Sequence, residues 1–114
     1  MAGSDKIPTV ISDYGSELQD IPRKFELSQN YPNPFNPSTT IKYSLPKRSD
    51  VRLNIYDILG RHVVMLVDGI KPAGEYEVAW DGTDENRQAV ASGVYFYQLK
   101  IDGYGEAKKM LLLK

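Results

Sequence analysis

The sequence predicts an all-β fold, an antiparallel sandwich of six or seven short strands. Three observations predict it. Apolar residues alternate with polar ones at period two in segment after segment. Turn signals rich in Gly, Pro, Asn and Asp separate those segments. No segment keeps a 3.6-residue apolar period over ten or more residues, so no crossover helix is available and neighbouring strands must pair mainly antiparallel. Two such sheets bury their apolar faces against each other, and about 90 residues suffice for that arrangement.

The elements follow in order. Thr40–Leu45 places Ile41, Tyr43 and Leu45 on one face, and Pro46 closes it. Val51–Tyr56 turns Val51, Leu53 and Ile55 inward; Asp57-Ile58-Leu59-Gly60 is a turn; Val63–Val67 is a continuous apolar run, and the two strands form a hairpin. After Lys71-Pro72-Ala73-Gly74, the residues Tyr76, Val78 and Trp80 form an inward stripe opposite Glu75, Glu77 and Ala79. Asp81–Asn86 is a polar turn cluster. Val94–Ile101 carries Tyr95, Tyr97, Leu99 and Ile101 on one face, and Asp102–Gly105 turns the chain into a final strand, Ala107–Leu113. Residues 1–24 lack sustained periodicity and contain two Ile-Pro steps, which reads as an extended linker. Within it, Thr9-Val10-Ile11 has the alternative of a short edge strand, and Met1-Ala2-Gly3-Ser4 resembles an expression scar rather than a signal peptide. The domain itself is expected over residues 25–114.

Composition narrows the function. With 14 basic and 15 acidic residues the formal charge is −1, so no global field draws the chain to nucleic acid or to an anionic membrane. No apolar run reaches the roughly 20 residues of a membrane span. Cysteine is absent, which removes disulfides, thiolate nucleophiles and Cys-ligated metal. The lone histidine, His62, reads as a strand residue rather than a base or ligand, and neither phosphate-binding glycine motifs nor a nucleophile elbow occur. The domain is therefore expected to be non-catalytic, with no cofactor.

Three segments remain as candidates. Asp81 and Asp84 sit in a loop with several oxygen ligands, a weak calcium candidate that does not fit EF-hand spacing; Asx hydrogen bonding accounts for the same residues. The loop Tyr31-Pro32-Asn33-Pro34-Phe35-Asn36-Pro37 cannot be a central strand, because each proline fixes φ and removes a donor. Tyr31 and Phe35 are expected to pin it to the sandwich, and its rigidity serves either folding or recognition. Lys108-Lys109-Met110-Leu111-Leu112-Leu113 is either an edge strand guarded by lysines or a peptide read by export machinery. Tyr14, Tyr31, Phe35 and Tyr104 read as loop aromatics, a weak platform for sugar.

Gln29-Asn30-Tyr31-Pro32-Asn33-Pro34-Phe35-Asn36-Pro37-Ser38-Thr39-Thr40-Ile41 resembles the opening signature of type A C-terminal sorting domains of the type IX secretion system. Val51–Arg61, Trp80–Asp84, Ala91–Tyr97 and Lys108–Leu112 agree with that family in order and spacing; Arg87 departs from it, standing where many relatives carry Gly. The resemblance covers about Phe25 to Lys114. It implies an immunoglobulin-like sandwich, related to the Ig-like domain of flagellar hook-capping proteins. It further implies a module that directs an upstream passenger through the periplasm and outer membrane of Bacteroidota to the surface or medium. The implied partners are the secretion machinery and a sortase-like peptidase. On that reading recognition lies in Gly93, Val94, Tyr95, Lys108, Lys109, Met110 and Leu111, with the Pro-rich loop second. The alternatives are a carbohydrate-binding module or a structural Ig-like spacer attached to a secreted glycanase.

Overall fold

The alternating stripes become two antiparallel sheets facing each other across one apolar layer. A computed structural model describes residues 22–114. The elements are β1 (Glu26–Leu27), β2 (Thr39–Leu45), β3 (Ser49–Asp57), β4 (His62–Lys71), β5 (Gly74–Trp80), β6 (Gly93–Ile101) and β7 (Tyr104–Leu112). One sheet has the order β1-β2-β5 and the other β4-β3-β6-β7. Most of the predicted linker, the scar-like start and the Thr9–Ile11 alternative lie outside the described residues. No described helix is long and apolar enough to cross a membrane.

Each alternating stripe faces inward as its period requires. Ile41, Tyr43 and Leu45 of β2 meet Val51, Leu53 and Ile55 of β3 and Tyr95, Tyr97, Leu99 and Ile101 of β6; Met110 and Leu112 of β7 complete the layer. Trp80 ends β5 deep in this core. Tyr43 stacks on its cross-strand partner Tyr76, with ring centroids 5.2 Å apart.

Strand β4 extends well beyond the continuous apolar run expected over Val63–Val67. It is ten residues long and nowhere fully buried, and from His62 to Asp68 two half-buried residues follow each exposed one. The cause is a pair of register shifts against β3, between Leu53 and Asn54 and between Ile55 and Tyr56. Each inserts an extra residue on β4, so Val63–Val64 and Leu66–Val67 lean on the core as pairs. β1 is a two-residue edge strand that the alternation was too short to reveal.

The two aromatics of the Pro-rich loop part ways. Phe35, read as a loop aromatic that pins the loop to the sandwich, is only 2% exposed and does so from within the core. Tyr31, expected to pin the loop, is 81% exposed and pins nothing with its ring. Its backbone does the holding instead, exchanging two hydrogen bonds with Thr40 at 3.0 and 2.9 Å.

Candidate functional site

The sequence segments that stood out separately meet at one pole of the sandwich. The Pro-rich loop runs along the outer edge of β7. Phe35 forms a parallel bridge to Leu112: its N–H donates to the Leu111 carbonyl, and the Leu113 N–H donates back to the Phe35 carbonyl, both at 3.0 Å. The Leu111 N–H donates to Asn33 Oδ1 at 3.0 Å, and Gln29 Nε2 donates to the Lys109 carbonyl at 2.8 Å. The loop thus satisfies, from Lys109 to Leu113, backbone groups that an open edge would leave for another strand. The bonds of Tyr31, Asn33 and Asn36 to the following prolines are cis.

A buried polar cluster holds the start of this loop. The Asn30 N–H donates to Tyr97 Oη at 2.8 Å, and the Tyr97 hydroxyl donates to the Ser28 carbonyl at 2.7 Å. Asn30 Nδ2 reaches Thr39 Oγ1 and the Pro32 carbonyl, and the Thr39 hydroxyl donates to the same carbonyl at 2.8 Å. Buried polar groups with every partner present fix one geometry. Sequence reasoning missed this cluster, although a Tyr at a core position is itself a signal that a hydroxyl needs a partner there.

Burial pushes the Tyr97 phenol up to about 12, from an ordinary 10.0. The unfolded chain ionises first, so stability is full below pH 10 and falls as pH rises toward 12. Burial raises Tyr43 and Tyr95 in the same direction. Tyr97→Phe is expected to cost about 1–3 kcal/mol by leaving the Asn30 N–H without its acceptor. It is also expected to flatten the alkaline loss. Urea unfolding of both proteins at pH 7 and across pH 9–12 measures the two effects; an unchanged alkaline slope would refute the assignment.

The ring of Phe35 packs on Trp80 at a centroid distance of 5.7 Å, and Trp80 meets Tyr95 edge-on at 5.3 Å. Trp80 Nε1 donates to the Thr83 carbonyl at 2.9 Å, which ties the 81–92 loop to the core. Gly82, at φ +77°, lies so close to the loop that a Cβ would stand 3.2 Å from the Pro37 carbonyl and 3.6 Å from Leu112. Gly93 pairs with Leu112, and Ser92 Oγ accepts from the Lys114 N–H at 3.0 Å. The Asn-Pro loop, Trp80-Asp81-Gly82, Gly93–Tyr95 and Met110–Leu113 are therefore one packed unit.

Within that unit the predicted recognition residues divide by face. Tyr95 and Met110 point into the core; Val94, Leu111 and the exposed Lys109 lie on the outer face of the sheet, with Val94 opposite Leu111 and Lys109 opposite Phe96. Lys108 lies 3.7 Å from Glu106. Asp81 accepts from the Thr83 hydroxyl, while Asp84 Oδ1 accepts from the N–H groups of Asn86 and Gln88 at 2.8 and 3.0 Å, so these carboxylates cap their own turn. Among the described residues, no group of three or more His, Asp or Glu side chains is placed to hold a metal ion. His62 Nε2 lies 2.8 Å from Asn54 Oδ1, and Nδ1 lies 3.3 Å from Glu85.

Two facing antiparallel sheets, seven strands and a core tryptophan beneath a loop-covered pole define an immunoglobulin-like β-sandwich. The chain belongs to the FlgD Ig-like domain family, whose model matches residues 35–105. Among solved structures it is similar to latent PorU of Porphyromonas gingivalis, with TM-score 0.63 and 23% identity over 81% of this chain. PorZ of the same organism, a surface component of its type IX secretion system, matches with TM-score 0.54 and 21% identity over 88% of this chain. FlgD of Xanthomonas campestris, a hook-capping protein of flagellar assembly, matches with TM-score 0.54 and 28% identity over 76% of this chain. The chain spans 10% of PorU, 12% of PorZ and 65% of FlgD. No curated protein sequence matches it.

Proposed function

We propose that this domain is a non-catalytic sorting module that directs an upstream passenger through the type IX secretion system to the cell surface or medium. The observation that carries the reading is the convergence of the family-like motifs on one pole around β7. The Asn-Pro loop, the Trp-Asp-Gly turn and Gly93 all contact the segment Leu111–Lys114. Residues spread over the whole sequence are spent on presenting one peptide in one conformation. On this reading the machinery reads the outward residues Val94, Lys109 and Leu111, and a sortase-like peptidase acts upstream of the domain.

The test is export of a reporter fused ahead of the full 114-residue chain in a type IX-competent host. Deletion of Lys108–Lys114 is expected to abolish export. Lys109→Ser with Leu111→Ser is expected to reduce it without lowering Tm, since neither side chain is in the core. Export that survives both the deletion and the double substitution would sink the proposal.

A second reading, an Ig-like assembly domain, draws on the likeness to the Xanthomonas campestris FlgD. It predicts a folded reporter fusion that stays inside the cell. Among the described residues the sugar-binding alternative loses its platform: Trp80 and Phe35 are buried, Tyr31 pairs at the Thr40 end of β2, and Tyr104 lies at the opposite end beside Phe25; Tyr14 lies outside the described residues.

A further inference from the structure

The β3–β4 turn is held together by one residue. Asp57 organises it alone: Oδ1 accepts the N–H groups of Leu59 and Arg61, both at 2.9 Å, and Oδ2 accepts Arg61 Nε at 2.8 Å. The Gly60 N–H donates to the Asp57 carbonyl, and the Asp57 N–H to the Arg61 carbonyl, each at 2.9 Å. Gly60 supplies the left-handed residue at φ +82°. The backbone bond from Arg61 is the largest cause holding the Asp57 carboxyl below its ordinary range, so the turn keeps its anchor at neutral pH.

None of these bonds uses the side chains of Ile58 and Leu59. Polar residues would satisfy the same turn. Yet Ile58 is 65% exposed and Leu59 73%, side by side at the tip of this hydrogen-bonded hairpin. Aliphatic side chains that add nothing to the core, carried on a backbone already fixed by these bonds, suit insertion into a partner, because little backbone entropy remains to be lost. Two side chains fall far short of the about 800 Å² per partner that a stable interface buries, so the pair acts as an anchor within a larger contact and not as a whole interface. The groove beside the turn is lined by three carboxylates, Asp57, Asp84 and Glu85, against Arg61, which pairs with Asp57, and His62, whose Nδ1 lies 3.3 Å from Glu85. That excess of negative charge disfavours an anionic lipid surface and complements a basic one.

We infer that Ile58 and Leu59 form a docking knob for a protein partner offering an apolar cleft with a Lys- or Arg-rich rim. The inference deepens the sorting reading and rests on it: the cleft belongs to a protein of the export route. The knob and the Lys109–Leu111 face would engage it independently.

The experiment uses the full chain behind a reporter in a type IX-competent host. Ile58→Asn with Leu59→Asn keeps the turn bonds and is expected to lower surface reporter by about tenfold or more, the scale of a hot-spot pair. Tm of the purified chain is expected to stay within a few degrees of the parent. If it falls further, the two single substitutions are compared at matched Tm. Glu85→Gln is expected to give a smaller loss, and Ile70→Ser, an equally exposed aliphatic at the opposite end, none. A parent fusion that is never exported overturns the sorting reading and the knob with it. An exported parent with an equally exported I58N/L59N fusion overturns the knob alone. Flotation of the purified parent, but not of I58N/L59N, with phosphatidylglycerol-containing vesicles would assign the knob to lipid and overturn the protein-cleft inference.

Discussion

Trp80→Ala is expected to cost about 3–5 kcal/mol, the range for emptying a large aromatic from a packed core. For a domain of this size that corresponds to a fall in Tm on the order of 15 °C or more. The indole is 1% exposed and fills the space between Phe35 and Tyr95. Its removal also frees the Thr83 carbonyl and unties the 81–92 loop. Trp80→Phe keeps part of the volume but not the indole donor, so it should fall between parent and alanine. Thermal unfolding of the three proteins gives the order directly. Alanine and phenylalanine variants of equal stability would mean that the loop tie, rather than the volume, dominates.

Phe35→Ala is the second large effect, again about 3–5 kcal/mol. It tests something Trp80 does not. The ring seats the loop on the core, and the Phe35 backbone then holds Leu111 and Leu113. With the ring gone, the backbone pairing loses its anchor. Hydrogen exchange should therefore accelerate at the amides of Phe35, Leu111 and Leu113 well before it does at Val51 or Leu53 in the centre of β3. Uniform acceleration across both groups would show that loop and core open together. Phe35 and Trp80 touch, so the double alanine variant should cost less than the two single losses added.

Much of the sandwich was legible because alternation is local. Ile41, Tyr43 and Leu45, or Tyr95, Tyr97, Leu99 and Ile101, declare their face within a few residues of chain. Where a feature depends on distant partners, local patterning is silent. The β4 bulges exist only against the register of β3. That Phe35 pins its loop was legible from the ring between prolines, but where it docks, beside Leu112 near the other end of the chain, was not. Tyr31 shows the reverse: beside prolines an aromatic ring suggests packing, yet the backbone bonds to Thr40 do the holding and the ring faces water. The motif residues were visible as separate segments, but their assembly into one pole was not, because that assembly is long-range topology.

The parallel bridge of Phe35 to Leu112 also orders events in time. During synthesis or passage from the amino end, the Asn-Pro loop emerges early and its docking partner late. Until Leu111–Leu113 arrive, Phe35 lacks those backbone partners and Gly82 lacks Leu112 beside it. Closing so long a loop is slow relative to forming the local hairpins. The pole therefore packs last, once Leu111–Leu113 are in place beside Phe35 and Gly82.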